Sequence, residues 1–154
     1  MTKGEEITAA VVAKLAGVGG LQAVYDSRIL ESAKDKNLYA VVTETGEGAS
    51  QPAGQRLTPL EVNTQIVVAI IAAGGDSDEI RFEASAISRL RSAQAAVEAK
   101  LLTANQNLGG IIERLNYTGA GITARSEGEQ ISIVRELRFD ALWYRDLPVE
   151  NDEY

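Results

Sequence analysis

From Gln130 to Tyr144, apolar residues fall on alternate positions. Ile131, Ile133, Leu137, Phe139, Ala141 and Trp143 take the odd ones, interrupted by Arg135, while Ser132, Glu136, Arg138 and Asp140 take even ones. A period of two marks a strand with one face on a core. At ~3.4 Å per residue this strand reaches roughly 50 Å. A compact chain of this length has a radius of gyration near ~15 Å and a diameter of about 39 Å. The strand is longer than the body that holds it, so it must bend or project, and a projecting strand invites a second subunit.

The other elements are shorter. Ile7, Val11, Leu15 and Val18 recur at helical spacing behind Glu5 and Glu6, acidic residues that suit a helix N-terminus. A helix is predicted over 5–16, stopped by Gly17, Gly19 and Gly20. Val24-Tyr25 and Ile29-Leu30 suggest a short edge strand. Leu38 to Thr45 is rich in β-branched and aromatic residues and reads as a strand. Residues 46–59 then carry three glycines and two prolines with little to bury, and read as a long polar loop.

Leu60 to Ala72 alternates and then turns apolar on both sides, as a strand entering the centre of a sheet does. Gly74-Gly75 is expected to end it, with Asp76 and Glu79 offering a capping box for a helix over 78–102. That helix carries Ile87, Leu90, Val97 and Leu101 on a stripe flanked by Ala86 and Ala93. Asn105 to Gly110 reads as turn, Ile111 to Tyr117 as strand, T-G-A-G (118–121) as turn and Ile122 to Arg125 as a short strand. S-E-G-E (126–129) reads as a tight turn into the long strand. The tail, 147–154, is acidic and extended. The order implies one α+β domain over 1–154: an antiparallel or mixed sheet with two helices packed on one face and a long C-terminal strand.

Composition narrows the chemistry. The 22 acidic and 15 basic residues give a formal charge of −7, which disfavours nucleic-acid affinity and attachment to anionic lipid. Without cysteine there is no disulfide or thiolate site. Without histidine there is no Ser-His-Asp or Cys-His catalysis, no His-ligated zinc and no simple switch near neutral pH. The start M-T-K-G-E-E has no apolar signal core, and the longest apolar run, Ile66 to Ala73, is too short to span a membrane. The expectation is a soluble protein assembled in a cytoplasm.

Candidate sites for small ligands are weak. A-G-V-G-G-L (16–21) follows a helix rather than a strand, so it reads as a helix stop and not a dinucleotide fingerprint. At the strand-to-helix junction 70–76, a phosphate would meet Asp76, Asp78 and Glu79. Glu127 with Glu129, and Glu150 with Asp152 and Glu153, lack the ligand spacing of a calcium loop and read as solvated surface. Arg81, Arg89 and Arg91 are interleaved with Glu79 and Glu83, the pattern of a solvated helix face. No catalytic, cofactor or metal-ligating residue emerges.

Several phrases together resemble the tail terminator, or tail completion, proteins of long-tailed bacteriophages. They are I-T-A-A-V-V-A-K-L (7–15), V-Y-D (24–26), two strands around a polar insertion, one long helix, R-L-N-Y-T-G-A-G (114–121) and A-L-W-Y-R (141–145). The resemblance implies a virion structural protein without catalytic residues. It also implies a homo-hexameric ring that caps the tail tube, stops its growth and offers a surface for head–tail joining. Its implied partners are the tail tube protein and a head-completion or connector protein, with the sheath protein as a further candidate; DNA only passes through the lumen. Candidate interface residues are Trp143, Tyr144, Arg138 and Asp140 on the long strand, Gln55 and Arg56 in the loop, and Glu150, Asp152 and Tyr154 in the tail. The alternatives are another neck, connector or minor tail protein and, more distantly, a cytoplasmic enzyme working with carboxylates alone.

Overall fold

The computed structural model describes residues 2–18, 20–27, 38–50, 60–75, 79–102, 107–127 and 130–145. In chain order they form α1 (Lys3–Leu15), β1 (Ala23–Asp26), β2 (Leu38–Ser50), β3 (Leu60–Gly75), α2 (Glu79–Leu101), a 3-10 turn (Leu108–Gly110), β4 (Arg114–Glu127) and β5 (Gln130–Arg145). The strands make one mixed sheet in the order β1-β2-β3-β5-β4, with β1 parallel to β2 and the other pairs antiparallel. This is the α+β architecture that the hydrophobic pattern predicts.

Local chemistry sets the helix ends. Thr2 Oγ1 accepts a hydrogen bond from the Glu5 amide at 3.2 Å, capping α1, and Glu5 and Glu6 place negative charge in its first turn. Gly17, at φ 76°, takes the left-handed conformation that ends the helix. In α2 the fully buried line is Ala86, Leu90, Ala93, Val97 and Leu101, while Ile87 is half-buried. The alanines expected beside the stripe are therefore on it, and their small side chains let the helix lie close to the sheet.

Both helices cover the same face. Ile7, Val11 and Leu15 of α1 and the α2 line share one core with Ala40 and Val42, with Ile66, Val68 and Ile70, and with Ile133, Leu137, Phe139 and Ala141. Period-two alternation in β5 is thus realised, its odd side chains facing the helices. Among the described residues no helix packs on the opposite face. There Val41, Ile71 and Val134 form a small second cluster, flanked by Tyr25 and Tyr39 with ring centroids 6.0 Å apart at 75°.

Three sequence-based boundaries are corrected. β2 does not stop at Thr45 but runs to Ser50, because Gly46 to Ser50 pairs with Gln65 to Glu61 after a register shift. Residues 46–50 are strand rather than loop; 51–59 lie outside the described residues. β3 likewise continues through Gly74-Gly75, with Gly75 paired to Ile131 across an irregularity. The strand–turn–strand expected over 111–125 is one continuous strand, β4, in which T-G-A-G forms a bulge between Tyr117 and Gly119. In each case pairing with a long neighbour outweighs a local glycine signal. The edge strand at Val24-Tyr25 is present as β1, whereas Ile29-Leu30, the Asp76 cap and the tail 147–154 lie outside the described residues.

The core makes a quantitative prediction. Leu90 is fully buried where α2 meets the sheet, so Leu90→Ala is expected to destabilise the fold by about 2–5 kcal/mol. Gly109, at φ 75° with open space around it, isolates the backbone term, and Gly109→Ala is expected to cost about 1–2 kcal/mol. Chemical denaturation of the two variants checks both values.

Candidate interaction site

The features able to meet another molecule lie on the helix-free face and along the two sheet edges. The β2 bulge falls at Thr45, opposite Gln65 and Ile66 of β3. Those two pair with Asp140 and Phe139 of β5, beside which β4 has its own bulge at Thr118. Both bulges therefore lie in one row across the sheet. Each is a Thr-Gly step, Thr45-Gly46 and Thr118-Gly119. In each the threonine hydroxyl donates inward to the neighbouring strand: Thr45 Oγ1 to the Gln65 carbonyl at 3.4 Å, and Thr118 Oγ1 to the Arg138 carbonyl at 3.1 Å. A bulge bends its strand and increases local twist. The two bulges therefore place their bend and extra twist at the same level of the sheet.

Along the row the helix-free face sinks into a shallow depression of about 480 Å³, lined by Thr45, Gln65, Thr118, Glu136, Arg138 and Asp140 among others. Arg138 Nη2 lies 3.3 Å from Glu136 Oε2. Both groups remain solvated, so the pair contributes little to stability and stays open to exchange for an outside partner. Further along β5, Tyr144 is 47% exposed and, with Glu113, Arg114 and Leu142, lines a second depression of about 320 Å³.

Of the residues singled out from sequence, Arg138, Asp140 and Tyr144 thus share the helix-free face. Trp143 does not join them. Its indole points to the helix side, packs on the core, donates from Nε1 to Thr64 Oγ1 at 2.9 Å, and carries Lys3 Nζ 5.5 Å from the ring centroid. It closes the core at the α1 end of the sheet and satisfies the buried Thr64 hydroxyl. Gln55, Arg56, Glu150, Asp152 and Tyr154 lie outside the described residues.

Arg135, the lone polar interruption of the odd positions in β5, has a structural partner. Its Nε donates to Gln94 Oε1 of α2. Gln94 Nε2 donates in turn to Glu98 Oε1 at 2.8 Å and to the Tyr117 hydroxyl oxygen at 3.4 Å. The network straps α2 to β4 and β5. Partial burial raises the Tyr117 pKa above its ordinary value, and the charge of Glu98 and its hydrogen bond add to the shift; Arg135 and Gln94 oppose it. Nothing in the local sequence marks this set, because Tyr117 and Arg135 lie 23 and 41 residues from Gln94. The bulge row was hidden for a similar reason: Gly46 and T-G-A-G read as loop and turn, and only pairing with β3 and β5 makes them bulges.

Among the described residues no group of three or more acidic side chains is placed to hold a metal ion, and no helix is long and apolar enough to cross a membrane. No protein-family model and no curated protein matches the chain. A solved structure does: a chain in the virion of a native gene transfer agent particle, at TM-score 0.57 and 18% identity, covering 90% of this chain and 94% of that one. The likeness is one of fold. It extends over nearly the full length of both chains.

Tyr117 yields a prediction with a definite sign. A raised folded-state pKa means that stability present below pH ~10 is lost as pH rises through the folded value, because the unfolded chain ionises first. Thermal melts between pH 9 and 11 should show a steeper fall for the native chain than for Tyr117→Phe, which keeps the ring packing 5.4 Å from Phe139 but cannot ionise.

Proposed function

We propose that this chain is a structural, non-enzymatic component of a phage-like virion, and that within it the chain acts as the tail terminator. In this reading a homo-hexameric ring caps the tail tube, stops its polymerisation and presents its outer surface to a head-completion or connector protein. The observation that carries the proposal is the shared fold, over 90% of this chain, with a chain of a gene transfer agent virion. The phrases that resemble tail terminator proteins narrow it from virion component to terminator.

Physical features support the same reading. A terminator must bind the tube end on one side and refuse another tube ring on the other. A sheet with helices on one face and, among the described residues, none on the other offers two chemically different surfaces. Its net charge of −7 per copy suits a ring through which DNA slides without being held, since the contacts that grip DNA are cationic. With neither histidine nor cysteine in the chain, the commonest proton-transfer and thiolate chemistry is out of reach.

Electron microscopy of particles assembled without this protein tests the function. Tails of irregular length, unjoined to filled heads, are the expected result. Uniform tails of normal length joined to heads would refute the terminator role. Heads joined poorly to tails of normal length would move the chain elsewhere in the neck.

A further inference from the structure

We draw no further inference here: the strongest candidate, the apolar cluster of Val41, Ile71 and Val134 flanked by Tyr25 and Tyr39 on the helix-free face of the sheet, carries none, because nothing among the described residues shows what covers it.

Discussion

The structure depends on the unbroken pairing of β3 with β5. These two 16-residue strands are registered from Leu60 opposite Arg145 to Ala72 opposite Ile133, and again at Gly75 opposite Ile131. Buried backbone groups must find partners, so a ladder of this length holds even glycines in the sheet. A flat sheet this long would outrun the two helices that cover it, and twist alone cannot shorten it. The bulges at Thr45 and Thr118 absorb the mismatch on either side of the central pair. They bend the flanking strands in one row while the central ladder stays in register across it.

This explains what could and could not be read from the sequence. Elements with strong periodicity were legible: α1 from Ile7, Val11 and Leu15, α2 from Leu90, Val97 and Leu101, and β5 from its alternation. The errors share one cause. Gly46, Gly74-Gly75 and T-G-A-G are local turn signals, and each was overridden by a partner strand that no local window contains. Trp143 illustrates the same limit within the site. Alternation puts Trp143 on the core-facing side of β5, but that it is anchored there by Thr64, 79 residues away, is visible only in the fold. Arg138, Asp140 and Tyr144 were easier, because alternation alone assigns even positions of β5 to the face away from the helices.

The two faces divide the work of the molecule. On the helix side, polar groups are spent on internal contacts: Arg135 with Gln94, Trp143 with Thr64, and Thr8 Oγ1 with the Gly4 carbonyl at 2.8 Å. On the other face the charged groups pair with near neighbours in solvent, as Arg138 does with Glu136. Internal pairs fix geometry, whereas solvated pairs can be exchanged at little cost.

The edges add a constraint of a different kind. Among the described residues no strand covers the outer amides and carbonyls of β4 or of β2 beyond Val42, and Ile122 is 48% exposed beside them. Evolution usually blunts such edges, because they template pairing with any strand that arrives. Two unguarded edges on one sheet are a liability for a free-standing protein. A long sheet whose two edges are, among the described residues, neither covered nor guarded is built less like a body meant to stand alone than like one that meets a neighbour along its edges.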